Sequence, residues 1–177
     1  IFVEIDEEEY GLRRVYLNRK YNFIDGENKL LFDRWFDDTG NFMDGFAYVN
    51  LDDRYNYINK EGQLLSNQWF DVAGDFHEGF AIVKINDKWN FINTEGQFLS
   101  HQWFDDTWNF SDGFAIVRIN DKWNFINTEG RILSKQWFDT AWNFSEGVAR
   151  VELNGKWYNL DKEGNLTLRE SRRSLSP

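Results

Sequence analysis

Glycine falls at positions 11, 45, 79, 113 and 147, each 34 residues beyond the one before. From Gly79 to Gly96 the chain reads GFAIVKINDKWNFINTEG, and from Gly113 to Gly130 nearly the same words return. A fixed period of this size means one supersecondary unit written several times, and such a unit stacks on copies of itself because it cannot bury its apolar surface alone. Counting in steps of 34 gives five units, 1–34, 35–68, 69–102, 103–136 and 137–170, forming one repeat domain, with a tail at 171–177. Helical repeats share this period. Here, however, apolar residues alternate by two and turns interrupt them, which argues for strands.

Within the unit, Phe80–Ile85 is rich in β-branched and aromatic residues, then Asn86-Asp87 intervenes, then Lys88-Trp89-Asn90-Phe91-Ile92. Two residues that tolerate positive φ between two such runs predict a tight hairpin with a type I′ turn. The last copy carries Asn154-Gly155 there, the strongest form of the signal. A two-residue loop fixes the register, so Ile85 faces Lys88, Lys84 faces Trp89, Val83 faces Asn90 and Ile82 faces Phe91. One face then carries Phe80, Ile82, Trp89 and Phe91, and the other Ala81, Val83, Ile85, Asn90 and Ile92. Both are partly apolar, so both must meet neighbouring protein. A second turn closes on Gly62, Gly96, Gly130 or Gly164, with Asn28 standing in for Gly in the first unit, and a short third strand (63–65, 97–99, 131–133) is expected after it. The expected fold is all-β: five hairpin or meander repeats stacked as an open, twisted, solenoid-like array, with a closed toroid or propeller-like ring as the second choice. The end units are degenerate and charged, as capping repeats of an open stack are. Glu7-Glu8-Glu9 precedes the first glycine, Arg13-Arg14 enters the first strand, and the fifth unit reads Lys156-Trp157-Tyr158-Asn159, its Asn moved by one.

The stack is expected to be held by rings, since the chain has 9 Trp and 17 Phe and each ring can bury roughly 150–250 Å². The formal net charge of −10 argues against nucleic acid, which needs a basic track, and against anionic membrane surfaces. No stretch has the length or hydropathy of a membrane span, so membrane insertion is not expected. With no cysteine, disulfides and thiolate metal sites are excluded. The chain begins at Ile rather than Met, as a fragment or trimmed product of a longer polypeptide would.

The shared pattern F-x-[DE]-G-[FV]-A-x-V-x-[IL]-N-x-K-W-N-[FY]-I-[ND]-x-E-G resembles the bacterial WG-repeat, or KWG-repeat, family across all five units. The structural positions that carry the likeness are Gly45, Gly79, Gly113 and Gly147, the indoles Trp89, Trp123 and Trp157, and the closing glycines 62, 96, 130 and 164. The departure is in the namesake: where the family has Gly after Trp, this chain has Asn90 and Asn124, with Asn22 and Asn56 following Tyr. Such an Asn suits a bulge, or else a ladder of side chains between stacked units. The resemblance implies tandem β-repeats of bacterial or phage origin, cytoplasmic or at the cell surface, and no single activity.

Trp108 and Trp142 replace Gly40 and Gly74, so the repeat does not demand them, and they are the candidate binding residues. Two other aromatic files, Trp35/69/103/137 and Tyr21/Tyr55/Trp89/Trp123/Trp157, read as packing between repeats. Lys84 and Arg118, opposite Trp89 and Trp123, read as cation–π cover. Asp37, Asp71, Asp105 and Asp139 recur after Trp-Phe, beside Asp38 and Asp106, and are expected to cap a turn or short helix locally rather than ligate Ca²⁺. His77 and His101 occupy unrelated offsets. With no nucleophile–His pair, phosphate loop or metal-ligand spacing, neither catalysis, a cofactor nor a metal is expected. The expected role is a non-enzymatic module that presents an acidic, aromatic-rich surface to a protein partner. A carbohydrate-binding module using Trp108 and Trp142 is the second reading, and a structural component of a larger assembly, such as a phage particle or surface layer, the third.

Overall fold

The structure, a computed structural model, describes residues 3–4 and 11–169; the acidic run 7–9 and the tail 171–177 lie outside the described residues. Sixteen strands and no helix occur among those described, gathered into five small antiparallel sheets, none closed into a barrel. Each sheet lies inside one 34-residue period. The first holds β1 (Val3–Glu4), β2 (Arg13–Leu17) and β3 (Lys20–Ile24). The second holds β4 (Asp38–Thr39), β5 (Phe46–Leu51) and β6 (Arg54–Asn59). The third holds β7 (Val72–His77), β8 (Phe80–Ile85) and β9 (Lys88–Asn93). The fourth holds β10 (Asp106–Thr107), β11 (Phe114–Ile119) and β12 (Lys122–Asn127). The fifth is four-stranded: β13 (Thr140–Ala141), β14 (Val148–Leu153), β15 (Lys156–Asp161) and β16 (Leu166–Leu168). The chain divides between Gln102 and Trp103 into two compact units, three sheets in the first and two in the second.

The hairpin register is the one the two-residue loop dictates, with Ile85 opposite Lys88, Lys84 opposite Trp89, Val83 opposite Asn90 and Ile82 opposite Phe91. Asn86 and Asp87 sit at φ 49° and 61°, the left-handed pair that lets the loop follow the strands' twist. The third strand is the correction. In the first four repeats the segment after the closing glycine makes one bridge, Leu30 to Ile24, Leu64 to Ile58, Phe98 to Ile92 and Ile132 to Ile126. The regular third strand instead comes from the connector before the hairpin, which pairs with the hairpin's first strand, as Thr107 does with Val117. A second tight turn joins them: Asp112-Gly113 at φ 58° and 83°, closed by reciprocal bonds between Ser111 and Phe114. Asp-Gly is a strong signal for that turn, which explains the recurring glycine better than the hairpin alone.

The two hairpin faces do what an amphipathic analysis of both sides demands. Ala81, Val83, Asn90 and Ile92 are fully buried, and so is Phe91 on the opposite face. In the second unit one core joins Ile116 and Phe125 of the fourth repeat to Phe138, Phe144, Ala149, Val151 and Leu160 of the fifth. The outward face of one sheet therefore lies on the inward face of the next, with Phe144 packed 4.8 Å from Phe114 and 5.0 Å from Phe125 by ring centroids. The first unit repeats the arrangement, Tyr57 and Phe76 meeting at 5.1 Å and Phe23 and Phe42 at 5.2 Å. Tyr57 alone carries a hydroxyl at this position; it donates to the Gly74 carbonyl at 2.6 Å, and burial pushes its phenol above the ordinary range.

Candidate functional site

The polar residues that recur are consumed by the fold. Asn22, Asn56, Asn90 and Asn124 are all 0% exposed. Each pairs in unbroken register with a valine of its hairpin, Val15, Val49, Val83 and Val117 respectively, so none is a bulge residue of that ladder. Nor do they ladder between repeats. Between the bridges Leu64–Ile58 and Phe70–Tyr55 one strand spends six residues while its partner spends three, and the excess loops out. Asn56 Nδ2 holds that loop by donating to the carbonyls of Ser66 (2.8 Å) and Gln68 (3.2 Å), while its Oδ1 accepts from Tyr57 N–H. Asn124 does the same with Ser134 and Gln136. A buried amide satisfied on both ends stabilises the loop because leaving those groups unpaired would cost about 1–3 kcal/mol each.

The aspartate row is also structural, through longer reaches than a local cap. Asp71, Asp105 and Asp139 Oδ2 accept from the first turn residue of the hairpin in their own repeat, Asn86, Asn120 and Asn154, at 2.7–2.8 Å. Asp37 and Asp139 also accept from Lys20 and Lys122 on the preceding repeat. That ammonium, with the turn N–H second, holds each carboxyl below the ordinary aspartate range. The closing glycines serve the same junctions. Gly62, Gly96 and Gly164 sit near φ +80°, and a Cβ would fall 2.9, 2.5 and 2.9 Å from a leucine carbonyl of the preceding repeat. Gly45, Gly79, Gly113 and Gly147 form the connector turns and face open space. Lys84 and Arg118 lie 5.2 and 5.3 Å over the rings of Trp89 and Trp123. His77 and His101 are exposed, and no group of three His, Asp or Glu that could hold a metal occurs among the described residues.

Trp108 and Trp142 are 45% and 56% exposed, yet their settings differ. Trp108 N–H donates to the carbonyl of Ile116, a buried residue, and its ring meets Trp123 edge-on at 6.5 Å. In the second repeat the same space holds a ring from the strand instead: a Cβ on Gly40 would lie 2.4 Å from Tyr48. Trp108 thus covers its own hairpin as well as facing solvent. Trp142 N–H donates to the carbonyl of Arg150, and Arg150 is exposed. Trp142, Arg150, Trp157 and Arg169 line a groove of about 430 Å³ on the outward face of the last sheet. Trp157, a packing residue by position, is 38% exposed there. Sequence reasoning did not single out Arg150 and Arg169 as site residues. Arg150 stands where the other hairpins have Arg14, Tyr48, Ile82 and Ile116, so it departs from the three middle repeats and not from the first.

This face is made by the displaced Asn. In the first four repeats Asn points inward and Phe or Tyr outward; with Tyr158-Asn159 the order inverts, since neighbours along a strand face opposite sides. Tyr158 packs against the core, and Asn159 turns outward to accept from Arg169 at 3.0 Å. Without the inward amide the loop is gone, and β16 pairs regularly, Leu166 with Leu160, Thr167 with Asn159 and Leu168 with Tyr158. Charge is divided unevenly as well. Residues 1–102 carry 19 acidic and 10 basic side chains, net −9, and residues 103–177 carry 11 and 10, net −1.

Small sheets, one per period, joined within each unit through shared aromatic layers, define a tandem β-repeat protein. The WG-containing repeat profile matches at residues 57–89, 91–123 and 125–157, more than half of the sequence, and the chain belongs to the WG-containing repeat family. A comparison with curated protein sequences gives no match. Among solved structures, the chain is similar to Hsv2 of Kluyveromyces lactis (9% identity, TM-score 0.45, covering 94% of this chain and 62% of that one). It is also similar to PorZ of Porphyromonas gingivalis, described as an essential bacterial surface component of the type-IX secretion system (9%, 0.44, 94% and 26%). A third is a protein of unknown function from Bacteroides caccae (14%, 0.32, 89% and 77%). The chain spans less than two thirds of the Hsv2 chains, and at these values the likeness is loose. No helix among the described residues is long and apolar enough to cross a membrane.

Proposed function

We propose that this chain is a non-enzymatic interaction module that offers an acidic, aromatic-bearing surface to a protein partner. The observation that carries this reading is the exposure of Trp108 and Trp142, the two most exposed Phe, Tyr or Trp rings among the described residues, in a molecule that spends most of its rings on packing. Exposed indoles are costly to leave in water and are among the residues that dominate binding energy at protein interfaces. The absorption of the recurring buried Asn and the Trp-Phe-Asp aspartate side chains into bonds of the fold supports a binding role over a chemical one, because those side chains are held in place by the backbone. A partner captured from source cells and rebuilt with the chain from purified components should lose affinity at least about tenfold, or about 1.4 kcal/mol, on Trp108→Ala or Trp142→Ala. Full affinity in both variants would remove the basis of the proposal. Polysaccharide is the second reading, since the same exposed indoles can stack on sugar rings; retardation in polysaccharide gels that disappears with Trp142→Ala would favour it.

A further inference from the structure

Resting on the protein-partner reading, we propose that the groove on the last repeat is where an acidic, extended peptide segment of that partner docks. Its carboxylates would be taken by Arg150 and Arg169, and the side chains between them held by Trp142 and Trp157. The four lining residues come in alternating order across the sheet. Trp142 follows β13 and its backbone N–H donates to the Arg150 carbonyl on β14; Trp157 lies on β15, and Arg169, directly after β16, donates its backbone N–H to the Trp157 carbonyl. Indole platforms thus alternate with guanidinium forks, which match carboxylates bidentately.

Neither arginine has an ion pair among the described residues. Arg169 donates to Asn159. The carboxylate nearest in register, Glu152 opposite Trp157, accepts from Thr140 Oγ1 at 3.1 Å. In the fourth repeat the positions of Arg150 and Asn159 hold Ile116 and Phe125, buried in one core with Phe144. The first repeat also has an arginine there, Arg14, but it lies opposite Phe23 and donates to the Thr39 carbonyl of the next repeat. Arg150 faces Asn159, so only the last face pairs a guanidinium with an amide in place of a ring. The second unit's balance is −1, against −9 in the first, so the field that opposes an acidic segment is weaker there. Trp and Arg are the residues that carry energy at protein interfaces. A long acidic glycan would be repelled by a chain of net −10, whereas a short acidic segment needs only the local field, which is screened beyond about 10 Å at 0.1 M salt.

Fluorescein-labelled hexaglutamate should bind the full chain, quench its tryptophan emission and lose affinity as salt rises, while hexalysine does not bind. Arg150→Gln and Arg169→Gln should each weaken hexaglutamate at least about tenfold, and Arg150→Lys should recover part of the loss. Absence of hexaglutamate binding, or indifference to both Gln variants, overturns the proposal. So does binding of a hexauronate in place of hexaglutamate, which makes the groove a glycan site. A chain ending at Arg169 that binds tenfold more tightly would show residues 170–177 to be the occupant, and a homodimer dissolved by Arg150→Gln would show a second copy. If the rebuilt partner complex survives both Arg→Gln changes but not Trp108→Ala, the groove is refuted and the partner reading stands; if it survives all of them, both fall.

Discussion

The fourth and fifth repeats differ by a transposition. Trp123-Asn124-Phe125 becomes Trp157-Tyr158-Asn159, and the consequences reach three levels. The inward amide disappears and the looped segment straightens into β16. The outward ring disappears, and the face that would carry the next sheet becomes polar. The indole left there, Trp157, gains exposure and lines a groove with two arginines. A strand has only two sides, so exchanging neighbours moves one side chain into the core and the other out of it. One exchange therefore replaces a ring with an amide on the face that, in the fourth repeat, carries the next sheet.

The strongest test of this contrast removes the two asparagines in turn. Asn124→Ala should cost about 3 kcal/mol or more, because two carbonyls and the Phe125 N–H lose their partner where water has poor access; urea unfolding measures it. Asn159→Ala, which removes one surface bond, should cost no more than about 0.5 kcal/mol. Equal losses would mean that the amide does not hold the loop. Next in size are two glycines of the last repeat. Gly164→Ala meets both a positive φ and the Leu133 carbonyl and should cost about 2–3 kcal/mol, whereas Gly155→Ala, with φ +72° and open space, should cost about 1 kcal/mol. If the two changes cost the same, the close approach between repeats contributes nothing.

Restoring the order of the fourth repeat with Tyr158→Asn and Asn159→Phe should lower hydrogen-exchange protection at the Arg169 amide, now bonded to Trp157, and promote self-association visible by light scattering. Unchanged protection would separate β16 from the asparagine. The smallest effect concerns pH. Asp139 is depressed by Lys122, so its contribution to stability is complete above the ordinary aspartate range, about 3.9, and is lost as pH falls through its lower folded value. Lys122→Gln should shrink the drop in thermal midpoint between pH 5 and pH 2. A drop of undiminished size would assign acid sensitivity to other carboxylates.

Much of this was legible in the sequence because it is local. Two positive-φ residues between alternating runs set every hairpin register, and Asn28 could be seen to replace a turn glycine. The side chains that could not be placed were those whose partners lie ten or more residues away. Asn56 reaches Ser66 and Gln68, Asp71 reaches Asn86, and Lys122 reaches the next repeat; composition and alternation do not encode such distances. The third strand was misplaced because three surplus residues between Leu64 and Phe70 are invisible until the pairing of Phe70 with Tyr55 is known. Trp108 and Trp142 could not be told apart for the same reason, since what separates their settings is the residue across the ladder, Ile116 or Arg150.

The matched faces between neighbouring sheets have a consequence for how such genes change. Within the second unit the fourth copy presents its ring-bearing face to the fifth, so duplication of that 34-residue block, upstream of the transposed pair, would add a junction of a kind already present. The fifth copy differs, for its outer side has Asn159 where the fourth has the Phe125 that seats the next sheet. The fourth repeat can thus be multiplied while the fifth stays as it is, and any recognition built on the fifth travels unchanged with arrays of different length.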